Sequence, residues 1–157
     1  MGEWLQGGSI PPRPLTINNQ LNQIKMYYKS ATKKVRLTNQ ESEDLFYTSL
    51  CNGGEYICGY GIELDYSNFD YEIAKSKLKS FCYEDVLMQI LRDGGELKIV
   101  DRECDGEYNE SITLKDVHDK VQETPIEHLM DAINENDDAC TADVILQTVF
   151  YGEVIFG

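Results

Sequence analysis

Three segments of the chain share one order of residue types, and this order constrains the fold more than any other feature. In LCNGGEYIC (50–58), LRDGGELKI (91–99) and FYGEVIF (150–156), an apolar helical pattern is followed by glycine, glutamate and an apolar run of strand type. A glycine in such a place supplies the left-handed residue that closes a helix C-terminus. We therefore predict structural helix caps, each followed by a short strand, at Gly53, Gly54, Gly94, Gly95 and Gly152.

The same glycines do not predict a phosphate-binding loop. Such loops place glycines after a strand and before a helix, so that backbone N–H groups and the positive helix N-terminus point at the anion. Here the glycines follow a helix, whose C-terminal end carries partial negative charge, and Glu55, Glu96 and Glu153 come next. The first two matches also leave open a weak internal repeat of helix, Gly-Gly and strand at 41–58 and 83–99.

Hydrophobic periodicity predicts an α+β fold. Apolar residues at helical spacing predict helices over about 41–51, 83–93, 115–123, 126–136 and 141–151, although the β-branched content of the last leaves a strand open. Strand patterns occupy 55–66, 96–104, 111–114 and 152–156. We expect a single compact domain over 21–157, with helices packed on a small, mostly antiparallel sheet. A Pro/Gly-rich extended arm is predicted at 1–20.

Charge is distributed unevenly along the chain, whose net charge is −14 at pH 7. Residues 1–40 hold six basic residues and one acid, whereas residues 41–157 hold eight basic residues and 27 acids. An acidic body attracts basic proteins and repels nucleic acid and membrane surfaces. Solubility alone is an equally weighted interpretation of this charge. The body is preceded by a basic arm that comprises Lys25, Lys29, Lys33, Lys34 and Arg36.

The cysteines favour a reducing, cytoplasmic location. Their number is odd, no Cys-x-x-Cys pair occurs, and a disulfide framework is therefore not expected. We expect some of the five to be small core residues, with Cys82 and Cys140, beside predicted helices, as the first candidates. No apolar run reaches the roughly 18 residues that a transmembrane helix needs.

Aromatic and acidic residues alternate in GYGIELDYSNFDYE (59–72), a composition that suits an interface with a basic protein. The alternative, which we favour, is an ordinary strand and loop with inward aromatics and outward acids. The acids of the segment 101–107 extend the candidate surface. The predicted interface thus comprises Tyr60, Glu63, Asp65, Tyr66, Phe69, Asp70, Tyr71, Glu72, Asp101, Glu103, Asp105 and Glu107.

No cofactor, metal site or catalytic residue is predicted. DRECDGEYNESI (101–112) resembles the EF-hand calcium loop over twelve residues, but Ile112 occupies the position of the bidentate glutamate, so an acidic hairpin turn is expected. The two histidines, His118 and His128, show no metal-ligand spacing. A nucleophile–histidine pair requires contacts in space that spacing does not reveal.

Three functions follow from these observations. The first is a non-enzymatic acidic binding protein that occupies the basic nucleic-acid-binding site of a partner. In composition the chain resembles virus-encoded inhibitors of host defence, including DNA mimics. The second is a structural or assembly protein whose N-terminal arm contacts neighbouring subunits of a homo-oligomer. The third is an enzyme of unrecognised type, which the lack of a grouped catalytic constellation disfavours.

Overall fold

The computed structural model describes residues 35–157, so the predicted arm at 1–20 and the basic residues Lys25, Lys29, Lys33 and Lys34 lie outside it. Residues Val35–Gly157 form one compact unit of α+β class, as predicted. Its elements in chain order are α1 (Asn39–Gly59), β1 (Ile62–Asp65), α2 (Asn68–Ser76), α3 (Tyr83–Arg92), β2 (Leu97–Asp101), β3 (Glu110–Ile112), α4 (Leu114–Lys120), a 3₁₀ turn (Val121–Glu123), α5 (Ile126–Ile133) and α6 (Ala139–Tyr151).

The three strands form an antiparallel sheet in the order β1-β2-β3. Leu64 lies opposite Ile99, and Leu97 lies opposite Ile112, so these apolar side chains share the face that packs on the helices. Asp65 lies opposite Lys98 on the exposed face. The alternation of apolar and polar residues is the pattern of a sheet that is buried on one side. The predicted antiparallel sheet is therefore confirmed.

Helix α6 is the centre of the core, because every residue from Thr141 to Phe150 is buried. A helix that is enclosed on all sides has no polar stripe. The sequence pattern of 141–151 therefore did not distinguish a helix from a strand. Its N-terminus is fixed by Asp138, whose carboxylate accepts a hydrogen bond of 2.8 Å from the Thr141 backbone N–H. The helical interpretation of 141–151 is confirmed.

The prediction that Gly53 and Gly54 cap a helix is wrong. Helix α1 runs through both glycines to Gly59, and the next strand begins only at Ile62, so the unit of helix, Gly-Gly and strand predicted at 41–58 is not formed. A Cβ on Gly53 would lie 3.0 Å from the Ala142 Cβ and 3.1 Å from the next backbone nitrogen of α6. Gly53 thus serves the close approach of α1 and α6.

The other predicted caps are confirmed. Gly94 ends α3 with φ of 89°, and the Gly94 and Gly95 N–H groups donate to the carbonyl oxygens of Leu91 (3.0 Å) and Ile90 (2.9 Å). This pair of bonds is the Schellman motif, which satisfies carbonyls that the helix end leaves open. Gly152 closes α6 with φ of 79°.

The predicted strand at 152–156 is not formed. The backbone of this tail is bonded to a side chain instead of a neighbouring strand: Gln147 Oε1 accepts from the N–H groups of Ile155 and Phe156, both at 2.8 Å. The Phe156 ring stacks on the Tyr60 ring at a centroid distance of 4.8 Å. A glutamine from the central helix therefore takes the place that a pairing strand would have.

The expectation that Cys82 and Cys140 are core residues is also wrong, since all five cysteines are exposed. Cys82 is the N-cap residue of α3, and Cys140 is the second residue of α6, where the first turn still faces solvent. No helix within residues 35–157 is long and apolar enough to cross a bilayer.

Candidate functional site

The segment from Val121 to Gly157 contains no lysine or arginine. Earlier in the described chain, cations lie next to carboxylates: Lys77 contacts Asp93 at 2.8 Å, and Arg102 contacts Glu63 at 3.0 Å. The C-terminal segment has no such compensation of its own. Its acids are Glu123, Glu127, Asp131, Glu135, Asp137, Asp138, Asp143 and Glu153.

Helix α5 carries an exposed apolar stripe within this acidic segment. Ile126, Met130 and Ile133 are 53%, 40% and 39% exposed, and their spacing of four and three residues places them on one side of the helix. Only Leu129 and Ala132 of α5 are buried in the core. Single exposed apolar residues need no explanation, whereas a row on one helix makes this surface a candidate for interaction. We call Ile126, Met130 and Ile133 the α5 stripe.

A groove of about 560 Å³ lies between α1 and α5. Leu45 from α1 and Ala132 and Ile133 from α5 supply apolar surface, so the α5 stripe continues into the groove through Ile133. Among residues 35–157, Arg36 is the one cation in the lining. We call this cavity the α1–α5 groove. Its lining also includes four acids, Glu41, Asp44, Glu135 and Asp137.

The carboxylates on the α1 side are held by their own helix. Glu41 accepts hydrogen bonds of 2.7 Å from both the backbone N–H and the hydroxyl of Thr38, which form a capping box at the start of α1. The backbone bond from Thr38 is the main reason that the pKa of Glu41 lies below its usual range. Asp44 accepts from the Gln40 side-chain amide at 2.8 Å. Glu41 therefore presents a fixed negative charge at neutral pH.

The loop after α5 holds its acids in a constrained geometry. The Glu135 N–H donates to the Ala132 carbonyl at 3.1 Å, and the Asn136 N–H donates to the Asp131 carbonyl at 2.9 Å. This is the same cap as the one at Gly94, but here a glutamate, with φ of 57°, occupies the left-handed position. Left-handed backbone is unfavourable for a residue with a Cβ by about 1–2 kcal/mol.

Two side chains anchor this loop at its far end. The Asn52 amide of α1 donates to the Asp137 carboxylate at 3.1 Å. Asp138 caps α6, and the hydrogen bond from the Thr141 N–H is the main cause of its lowered pKa. The loop is therefore tied both to α1 and to α6.

A second groove, of about 700 Å³, is lined by acids, and unlike the first it has no lysine or arginine among the described residues of its lining. Glu55 and Glu84 lie beside the thiols of Cys51 and Cys58. Burial is the main cause that raises the pKa of Cys51, which keeps the thiol protonated and disfavours a nucleophilic role.

The predicted interface is only partly assembled. Asp65, Tyr66 and Asp70 line one shallow cavity together with Lys98. Phe69 is 74% exposed on α2. The other members of segment 63–72, Glu63, Tyr71 and Glu72, lie nearby, with Tyr71 stacked on Tyr66 at 5.0 Å and Lys75 located 5.9 Å from the Tyr71 centroid. This surface thus mixes both signs of charge.

Two predicted interface residues have internal roles, and their assignment to the surface is wrong. The Tyr60 hydroxyl donates to Asp143 Oδ2 at 2.9 Å beneath the C-terminal tail. Asp101 is 7% exposed, and its carboxylate accepts from the N–H groups of Glu103 (2.9 Å) and Cys104 (2.8 Å). The bond from Cys104 is the main cause of its lowered pKa. Asp101 organises the turn, whereas Glu103, Asp105 and Glu107 are exposed.

Both histidines contact other side chains. His118 Nε2 lies 2.9 Å from Glu43 Oε1, and Arg92 Nε donates to Glu43 Oε2 at 2.9 Å, so this cluster joins α1, α3 and α4. Burial acts to raise the pKa of Glu43, but the hydrogen bonds and charges of His118 and Arg92 outweigh it, and the pKa is lowered. His128 contacts the Thr141 hydroxyl at 3.2 Å.

Within residues 35–157, no three histidine, cysteine or acidic side chains are grouped to hold a metal ion. Comparison with known proteins gives no relative, because no family model, curated protein or solved structure matches the chain.

Sequence reasoning overlooked the C-terminal surface for two reasons. The absence of lysine and arginine from Val121 onward can be seen in the sequence. It was missed because charge was counted over the whole of 41–157. Periodicity places Ile126, Leu129, Met130 and Ile133 on one apolar face, which is the pattern of a core helix. Of these four, the structure buries only Leu129.

Proposed function

We propose that this protein is a non-enzymatic binding protein whose C-terminal surface binds a basic protein partner. The surface comprises the α5 stripe, the α1–α5 groove and the loop 134–138. One observation carries the proposal: exposed apolar side chains and carboxylates coincide in a segment without lysine or arginine. Apolar surface supplies affinity, and charge of one sign selects the partner and accelerates encounter.

The specific form of the proposal is inhibition of nucleic-acid binding. Lysine- and arginine-rich segments are the parts of basic proteins that neutralise phosphates. A carboxylate-lined surface that occupies such a segment competes with nucleic acid for it. The assembly hypothesis rests on the N-terminal arm, which lies outside residues 35–157, and it stays a prediction.

Capture of partners from a cell lysate, followed by elution with increasing salt, tests the proposal. Because salt shortens the screening length from about 10 Å at 0.1 M to about 3 Å at 1 M, captured basic proteins are expected to elute between these concentrations. The E127K/D131K variant is expected to capture at least tenfold less basic protein. Added duplex DNA is expected to compete with the protein for the captured partners.

The matched control is E72K/E107K, which makes the same two charge reversals on the interface that the sequence predicted. All four acids are exposed, so both variants are expected to keep the circular dichroism spectrum of the native fold. Capture that persists at 1 M salt would contradict the electrostatic mechanism. Equal losses in the two variants would show that net charge, and not the C-terminal surface, is responsible.

A further inference from the structure

We infer that the segment of the partner that this surface fits is an amphipathic cationic helix. Its apolar side lies along the α5 stripe and enters the α1–α5 groove at Ile133, and its lysine and arginine side chains reach the carboxylates of the groove. This inference rests on the proposed function and names the partner segment.

The dimensions of the α5 stripe match a helix. Ile126 and Ile133 are separated by seven residues, which corresponds to about 10 Å along α5, or two helical turns. A helix that binds in a groove uses anchors at positions i, i+3 or i+4, and i+7, the same spacing as Ile126, Met130 and Ile133. Two helices with such rows pack ridge into groove. An extended chain would place alternate side chains away from the stripe.

The charges around the stripe specify a cationic helix. Glu127 and Asp131 are exposed on α5 directly after Ile126 and Met130, and neither has an ion-pair partner among residues 35–157. Glu41 and Asp44 face the groove from α1. An acidic helix is repelled by this lining, and an uncharged apolar helix gains nothing from it. A purely polar basic segment leaves the stripe in water.

The groove is preorganised for such a ligand. The Thr38 capping box fixes Glu41, the Asn52 amide fixes Asp137, and the left-handed backbone fixes Glu135. Side chains that are already ordered lose less entropy on binding, so preorganisation increases affinity. Backbone strain is retained mainly where a site requires it, and Glu135 lines the groove.

A designed peptide of leucine, lysine and alanine, roughly 18 residues or five turns long, tests the inference against the full chain. The leucines repeat at i, i+4, i+7 and i+11, and a control peptide has the same composition in scrambled order. Binding is measured by fluorescence anisotropy at low salt. The amphipathic peptide is expected to bind at least tenfold more tightly than the scrambled one.

Substitutions locate the peptide on the surface. Met130→Ser is expected to weaken binding of the amphipathic peptide at least tenfold, because it removes the centre of the stripe. The matched control Phe69→Ser, which removes a more exposed apolar side chain from α2, is expected to leave binding unchanged. Equal effects of the two substitutions would overturn the assignment to α5.

The outcomes separate this inference from the proposed function. If both peptides bind equally and E127K/D131K abolishes binding of both, the acidic surface binds cations and the helical inference fails. If neither peptide binds while basic proteins are still captured from lysate at low salt, the helical inference fails and the proposed function does not. If the occupant is a second copy of this chain, sedimentation shows a dimer that Met130→Ser dissociates and the peptide does not displace, which also overturns the inference.

Discussion

Replacement of Gln147 by leucine tests how the C-terminal tail, residues 153–157, is held on the body. Gln147 is 2% exposed in the centre of α6, and both ends of its amide are bonded. Oε1 accepts from the N–H groups of Ile155 and Phe156, both at 2.8 Å, and Nε2 donates to the Phe156 carbonyl at 3.0 Å and to Asp143 Oδ2 at 2.8 Å.

The expected loss of stability follows from these four bonds. A hydrogen bond contributes about 0.5–1.5 kcal/mol net, so the three bonds to the tail contribute about 1.5–4.5 kcal/mol together. Loss of the fourth bond leaves the Tyr60 hydroxyl as the remaining partner of Asp143 Oδ2. Asp143 Oδ1 is buried without a partner among the described residues. Leucine regains part of the loss through its apolar burial. We expect the free energy of unfolding to fall by about 3 kcal/mol.

Urea denaturation followed by far-ultraviolet circular dichroism measures this change. The control is Phe156→Ala, which removes the ring from Tyr60 and from Tyr108, 4.8 Å and 5.0 Å away, but keeps the tail backbone. If Gln147 holds the tail, Phe156→Ala has little further effect in the Gln147→Leu background, and the double-mutant cycle gives a coupling of at least about 1 kcal/mol. A loss under about 0.5 kcal/mol for Gln147→Leu, or simple additivity, would refute the reasoning.

Three further predictions concern separate contacts. Gly53→Ala is expected to destabilise the fold by about 1 kcal/mol or more because its Cβ meets Ala142, whereas Gly54→Ala, with open space, stabilises it by up to about 1 kcal/mol. Equal urea midpoints would contradict the close helix crossing. Glu135→Gly is expected to stabilise the fold by about 0.5–1 kcal/mol in the same assay and to weaken peptide binding. Glu43→Gln is expected to cost about 1–3 kcal/mol at pH 7. Folding lowers the pKa of Glu43, so the stability difference between the native protein and Glu43→Gln has its full size above the unfolded pKa near 4.3. The difference shrinks as pH falls through the folded pKa. A difference that does not vary with pH would contradict this cause.

The Gly-Gly-Glu motif, which occurs twice in the chain, shows how far local sequence predicts this fold. At 94–96 they end a helix, and at 53–55 they lie within one. The two sites differ in a contact from far along the chain, since the Gly53 position packs against Ala142. The left-handed backbone that we predicted for glycine is present at Gly94 and absent at Gly53, which lies within a helix and allows the close approach of α6.

The misassigned surface residues are of types that are common at interfaces, but their polar groups are bonded within the fold. The Tyr60 hydroxyl is bonded to Asp143, far along the chain, whereas the Asp101 carboxylate is bonded to the N–H of Cys104 within its own turn. The apolar run at 153–156 has strand composition, but a strand forms only beside a partner strand, and Gln147 is its partner instead. The α+β class and the antiparallel sheet depended on local patterns and were predictable.

Helix α6 and the α5 stripe are linked by packing. Because α6 is buried on all sides, neighbouring helices must cover it, and the α5 residues that are themselves buried there are Leu129 and Ala132. The remaining apolar residues of α5 face solvent, where a row of this kind would ordinarily promote association of copies. The negative carboxylates around the stripe oppose that association, because two copies that pair through their stripes bring these charges together. In the function that we propose, the same charges attract a cationic segment. Under that proposal, acids next to an apolar row select against self-association and in favour of a basic partner, a combination that neither feature gives alone.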